Sequence, residues 1–365
     1  MKVCHITSVH EQSDVRIFLK ECSSLAKNYE THLIVINGYD DYINNVQIHG
    51  VSVKYKNRIQ RFTKAVRTAL KKAIIIDAKI YHIHDPELLR IARKLKSLGK
   101  KVIYDAHEDL PRQIMTKQWL PKACRKILGS IIEKYENKIA SKIDAIVTAT
   151  PHIKTRFLKV NKQTVNINNY PIITEYSFQT NISKNSKDPK IVYTGGISKM
   201  RGIIDVIIAL ENIDVKLLLA GKYLEPTLRS ELLKLKSWNK VIEKGFLSKD
   251  DVYLLYQESF LGIVTLHPTV NYLDSLPVKM FEYMAAGLPI IASNFPIWKQ
   301  IIEENNVGIC VNPQNPSEIA KAIKLLQNNP EEAIKMGENG IKAVKEKYNW
   351  GIEEKKLFTL YKELD

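Results

Sequence analysis

Four cysteines in 365 residues, none in C-x-x-C spacing, give no disulfide framework and no zinc site. Cys4, Cys22, Cys124 and Cys310 are expected to be small buried hydrophobes. No apolar run approaches the ~18–20 residues of a membrane span, and the start, MKVCHITSVHEQ, lacks the apolar core of a signal peptide, so a cytoplasmic protein is expected. Neither G-x-G-x-x-G nor a helical H-x-x-x-H occurs, so neither a standard dinucleotide fingerprint nor a metal site is announced. The scarce charge is the negative one. Lys and Arg number 55 against 39 Asp and Glu, a net charge of +16. An apolar content of 45% excludes a disordered chain, and the length calls for two domains rather than one core.

The basic excess is confined to one half. Residues 1–200 hold 35 basic and 17 acidic side chains, and residues 201–365 hold 20 and 22. In RFTKAVRTALKKAI, Phe62, Val66, Leu70 and Ile74 recur every four residues beside Arg61, Lys64, Arg67 and Lys71, the pattern of an amphipathic helix with a cationic face. Trp119 and Leu120, bordered by Lys117, Lys122, Arg125 and Lys126, suit an anchor at the headgroup level. These features point to an anionic membrane surface as partner. Nucleic acid fits less well, because the basic region lacks interleaved aromatics.

Strand-like runs at KVCHITS, THLIVIN, KIYHIH, KVIYDA and DAIVTA alternate with helical patterns, including 87–98 and 127–139. After a polar stretch from Tyr176 to Lys190 the alternation restarts with IVYTGG, KLLLAG, KVIEKG, FLGIVTL, PIIAS and VGICV, and the chain ends in helices at about 330–348 and 351–364. The fold class is therefore α/β with two doubly wound parallel sheets, divided into residues 1–175 and 176–348.

Polar clusters lie at the carboxyl ends of predicted strands, where open α/β sheets bind ligands. In the first half these are His10, Asp14 and Arg16, then His84 through Glu87, then His107, Glu108 and Asp109. In the second half Gly195 and Gly196 follow a strand and precede Arg201, which allows backbone amides to approach a diphosphate beside a cation. DSLPVKMFEYMAAGLPIIAS adds Asp274, a helix opened by Pro277, and Glu282 about one turn inside it.

Taken together, these segments resemble a retaining glycosyltransferase of family 4, of the branch that builds bacterial surface polysaccharides and glycolipids. The SLPVKMFEYMAAGLPIIASNFPIW block is similar to the E-x7-E region of that family, YTGGISKMRG to its diphosphate loop, and H-x3-D-x-R-I, HDPELL and YDAHED to its first domain. The resemblance implies a GT-B fold, two Rossmann-like domains facing across a cleft, with residues 349–365 as a helix returning to the first. It implies Glu282 on the nucleotide ribose, Asp274 near the transferred sugar in place of the usual Glu, and Leu276 and Val278 amides on the phosphates. Arg201 would neutralise the diphosphate, Gly195 and Gly196 would form its loop, and Lys199 would replace a second basic residue that falls at Gly196. His107 would face the donor sugar, with Asp14, Arg16, His84 and Glu108 on the acceptor side. The implied partners are a UDP- or GDP-sugar and a polyprenyl-diphosphate-linked or saccharide acceptor at the inner face of the membrane, with no cofactor. A UDP-sugar epimerase of the same architecture is the alternative.

Overall fold

The computed structural model of the chain describes all residues except 55, 58–59, 116–119 and 177–187, and the side chains of Arg61 and Lys122 are also outside the description. The chain forms two units, Met1–Asn169 with Trp350–Asp365, and Tyr170–Asn349. The division falls a few residues before position 175, and most of the polar stretch read as a linker is outside the described residues.

The first unit is built on eight strands: β1 (Lys2–Thr7), β2 (Glu30–Ile36), β3 (Asp41–Ile43), β4 (Val46–Val51), β5 (Ile80–Ile83), β6 (Lys101–Ala106), β7 (Ala145–Thr148) and β8 (Thr164–Asn166). Their order is β3-β4-β2-β1-β5-β6-β7-β8, parallel apart from the β3/β4 hairpin. β1, β5, β6 and β7 are buried along almost their whole length, as strands covered by helices on both faces must be. The β3/β4 hairpin was not expected. It turns through Asn44 and Asn45, both at positive φ (53° and 60°), a conformation Asn tolerates in tight hairpins.

The second unit carries β9 (Lys190–Thr194), β10 (Lys216–Ala220), β11 (Val241–Gly245), β12 (Leu261–Val264), β13 (Ile290–Ser293) and β14 (Gly308–Val311), in the order β11-β10-β9-β12-β13-β14. This is the dinucleotide-binding strand order, and the direction of winding reverses between β9 and β12. The corresponding reversal in the first unit lies between β1 and β5. Loops at the carboxyl ends of those four strands are therefore where each unit opens a crevice for a ligand.

Helix boundaries follow local chemistry. Asp14 caps Val15–Cys22, its carboxylate accepting from the amides of Arg16 (2.9 Å) and Ile17 (2.8 Å). Pro296, Pro316 and Pro330 open their helices at the first turn, where an amide would have had no partner. The helix Trp350–Leu364 belongs to the first unit. Trp350 Nε1 donates to Ser24 Oγ (2.9 Å), and Glu353 accepts from the Asn168 amide (2.9 Å).

Two expectations about buried faces need correction. The stripe that Val66–Ile76 presents to the core is Val66, Ala69, Ala73 and Ile76, whereas Leu70 is half-buried and Ile74 is 45% exposed. Small alanines there let the helix lie close to the sheet, turning the apolar face by about a quarter turn. Cys4 and Cys22 are buried as expected, but Cys310 is intermediate and Cys124 exposed.

Candidate functional site

In the second unit the β9 loop runs through Gly195, at φ 108°, and Gly196 into the short turn Lys199–Arg201, closed by Gly202 at φ 74°. A Cβ on Gly202 would collide with the carbonyl of Thr265, in the loop that follows β12. Only glycine therefore lets the two switch-point loops meet.

Arg201 curls back over this turn. Its Nη1 donates to the Gly196 carbonyl (3.4 Å), and its guanidinium also hydrogen-bonds Tyr272. A second cation, not singled out from the sequence, joins it. Lys279, in the first turn of the helix Val278–Ala285, places Nζ 3.2 Å from where a Cβ would stand on Gly195, and 3.9 Å from the centroid of the Tyr193 ring. Although the residue is half-buried, this Nζ is shut off from solvent and has no hydrogen-bond partner among the described residues. Burial foremost, then the positive charge of Arg201, lowers its pKa to about 7, against a smaller opposing pull from Glu282. Two basic side chains over a glycine turn and a helix start form an arrangement suited to holding an anion.

Glu282 lies three residues beyond Lys279 on the same helix face and accepts from Tyr256 Oη (3.2 Å). Tyr256 is fixed in turn by Thr194 Oγ1 (3.1 Å). A cavity of about 370 Å³ opens beside them, lined by Tyr176, Tyr253, Tyr256 and Glu282 among others. Leu276 and Val278 are half-buried at the helix start, and Trp298 Nε1 anchors the approach by donating to the Ser275 carbonyl (2.6 Å). Asp274 is exposed, at the end of the short helix Val270–Leu273. Lys199 does not face the glycine turn as a free cation, because its ammonium pairs with Glu231.

In the first unit the clusters at the ends of β1, β5 and β6 come together, but not all as expected. His10 lies between Asp14 (3.3 Å) and Asp85 (3.4 Å), and its Nε2 is 3.1 Å from His107 Nε2. Desolvation opposes its charge, yet hydrogen bonds to the two carboxylates push its pKa up to about 10. His107 is half-buried, 3.5 Å from Asp105. Glu108 is exposed and accepts from Gln113 (2.6 Å).

Arg16 and His84 are not acceptor-side groups. Arg16 is buried, held by both oxygens of Asp105 (2.8 and 2.9 Å) and by the Ile167 carbonyl (2.9 Å). His84 is fully buried between Asp105 (3.1 Å) and His5 (2.8 Å). Asp14 is engaged as a helix cap and as the partner of His10.

On the basic face read from the sequence, Lys64, Arg67 and Lys71 are exposed as expected. The backbone of Arg61 is helical, whereas Trp119 and the Lys122 side chain lie outside the described residues. Arg125 donates to the carbonyls of Leu120 (2.6 Å) and Met115 (3.4 Å), closing a turn rather than reaching outward. The helix Lys122–Ala140 instead exposes Ile127 (63%) and Ile131 (58%). Among the described residues no helix is long and apolar enough to cross a membrane.

Residues 175–343 match the family described as glycosyl transferases group 1. An uncharacterized glycosyltransferase of Methanocaldococcus jannaschii is 27% identical over 191 residues, 51% of this chain and 48% of that protein. The chain thus spans about half the length of that relative. Among solved structures, sucrose-phosphate synthase of Thermosynechococcus elongatus superposes with a TM-score of 0.79 at 16% identity, covering 100% of this chain and 99% of that one. Anabaena HepE in complex with UDP gives 0.75 at 14% identity, with 100% of both chains covered. The fold is GT-B. Within it, Gly195, Arg201, Lys279 and Glu282 occupy the switch point of the second Rossmann-like unit, and His10 lies at that of the first, against His107 at the end of the neighbouring β6.

Proposed function

We propose that the chain is a retaining glycosyltransferase that moves a sugar from a nucleoside diphosphate donor to a hydroxyl. The observation that carries this reading is the pair Arg201 and Lys279 over the Gly195–Gly196 turn, with Glu282 on the same helix as Lys279. In such a transfer the developing negative charge is on the leaving diphosphate. Two fixed cations and the free amides at the start of Val278–Ala285 would stabilise it without reorganising. Glu282 would accept from the ribose hydroxyls, and the cavity beside Tyr253 and Tyr256 would take the nucleoside. UDP is the nucleotide favoured, because HepE in complex with UDP shares the fold. In the first unit, His107 is the group we assign to the substrate, backed by the His10 imidazolium.

The acceptor we infer is lipid-linked or saccharide, met at the inner face of a membrane as part of surface polysaccharide synthesis. Exposed Lys64, Arg67 and Lys71 support this, as do Ile127 and Ile131, which add apolar surface to the same basic unit. The test is incubation with UDP-, GDP- and dTDP-sugars and a polyprenyl-diphosphate-linked acceptor, followed by assignment of the anomeric configuration of the product. Transfer with retention is expected. Epimerisation of UDP-sugars without transfer, or inversion, overturns the reading.

A further inference from the structure

His5 and His82 are register partners on the adjacent strands β1 and β5, and His84 follows two residues on, so three imidazoles share one face of the sheet. The helix Val15–Cys22 brings Glu21 against that face. All four residues are fully buried. One carboxylate oxygen, Glu21 Oε2, lies 3.9 Å from a ring nitrogen of each histidine, Nδ1 of His5, Nδ1 of His82 and Nε2 of His84. That spacing is too long for a hydrogen bond and too short for an intervening water.

The proton arrangement shows what is missing. Asp105, held as an anion by Arg16, can only accept, so the neutral His84 ring carries its proton on Nδ1 and turns a lone pair on Nε2 toward His5. His5 Nδ1 then donates to that lone pair (2.8 Å), His5 Nε2 accepts from Tyr361 Oη (3.0 Å), and Tyr361 accepts from His82 Nδ1 (3.0 Å). Every proton in the chain is used, and none is left for Glu21. Neither Glu21 oxygen has a hydrogen-bond partner among the described residues, and neither does His82 Nε2. Arg16 Nε is 3.3 Å from Glu21 Oε1, but its N–H is given to Asp105 at 2.8 Å. Two buried carboxylates therefore share one guanidinium. A buried anion that only shares a guanidinium is costly enough that a proton or a further cation has to answer it.

We propose that Glu21, His5, His82 and His84 form a buried structural site for a divalent transition cation of the zinc class. Three imidazoles and a carboxylate are a donor set that such ions accept, with bonds of about 2.0–2.2 Å that fit between groups standing a little under twice that distance apart. His84 already gives its outer nitrogen to Asp105, the carboxylate support common behind a metal-bound imidazole, and His5 faces Tyr361 in the same way. Loading requires His5 and His82 each to move its proton from Nδ1 to Nε2, so that both present Nδ1 to the ion, and His5 to part slightly from His84. The ion would tie β1, β5 and the helix Val15–Cys22 together and, through Tyr361, brace the helix Trp350–Leu364. Ligand spacing along the sequence does not reveal the site, because sheet register assembles it. The inference is independent of the sugar-transfer reading.

The test uses the full chain expressed in zinc-supplemented medium. Elemental analysis is expected to find about one zinc per chain, and protein refolded with ZnSO4 is expected to melt several degrees above protein refolded with a chelator. Refolding with Co2+ should give visible d–d absorption typical of nitrogen and oxygen ligands. Glu21→Gln and His82→Phe should each lose the metal, while His32→Phe, which alters the separate His32–His49 pair, should retain it. Wild-type protein with less than about a tenth of an equivalent and no zinc-dependent melting shift overturns the proposal, and this outcome requires no variant to fold. Full occupancy in both site variants overturns it as well, by placing the metal elsewhere.

Discussion

The ammonium of Lys279 stands 3.9 Å over the ring of Tyr193, sealed from water beside the Gly195 turn. Its pKa is lowered to about 7, by burial first and by Arg201 second. An unfolded lysine titrates near ~10.4, so between about pH 7 and pH 10 the unfolded chain holds the extra proton and this group makes the free protein more stable as pH rises. A diphosphate bound as proposed would reverse the preference and recharge the amine. Calorimetry of UDP binding at pH 8 in buffers of different ionisation enthalpy should therefore show uptake of roughly one proton per site. Lys279→Met should abolish the uptake and weaken UDP binding by about 10-fold or more, the scale of a lost charge-assisted contact. Unchanged uptake in the variant would dissociate Lys279 from the nucleotide.

Glu282→Ala should reduce UDP affinity by about 10- to 100-fold, because it removes the charged acceptor we assign to the ribose. Arg201→Ala should lower kcat more than donor affinity, since the charge it meets grows as the bond breaks. The check is UDP-dependent thermal stabilisation for the first and steady-state kinetics for the second.

Gly202→Ala should cost on the order of 1–3 kcal/mol, combining a left-handed backbone with a collision against the Thr265 carbonyl. Urea unfolding measures that loss. Because Gly202 joins the β9 and β12 loops, UDP affinity should fall along with stability, whereas Gly99→Ala, with nothing near its would-be Cβ, should leave nucleotide binding intact.

Arg16→Met should destabilise the first unit by about 3–5 kcal/mol, because it strands the buried Asp105 carboxylate. Chemical unfolding is the measurement. A variant that keeps wild-type stability but loses acceptor affinity would restore Arg16 to the substrate side.

Flotation with phosphatidylglycerol vesicles should carry the protein to the lipid layer, and neutral vesicles should not. Reversing Lys64, Arg67 and Lys71 to Glu should weaken binding by at least about 100-fold, at about 1 kcal/mol for each basic residue near the surface. Equal recovery with both lipids would remove the electrostatic component.

The central strands were legible because parallel strands buried on both faces leave continuous apolar runs, and each run read as a strand became one. The β3/β4 hairpin was not, because Asp41–Ile43 is short and largely exposed, so burial imposed no pattern on it. Position along the chain located the clusters at the strand ends but not the direction of each side chain. Arg16 and His84 therefore read as surface chemistry although they point into the protein. Lys279 was overlooked because a lysine in an amphipathic helix usually reaches water. The signal was present, since Gly196 left a cationic place unfilled and Lys279 shares a helix face with Glu282, but joining the two requires the β9 loop to meet a helix some eighty residues later in the chain.

The first unit is interrupted, with Tyr170–Asn349 forming a unit of its own between its two parts. On the ribosome the intervening unit can therefore be complete while the earlier one still awaits Trp350, Glu353 and Tyr361. The hydroxyl of Tyr361 meets His5 and His82 in the interior of that earlier unit, so its core is closed by side chains made after the intervening unit. A chain released before them would carry a finished second unit attached to an open histidine-lined interior, a product for quality control to recognise.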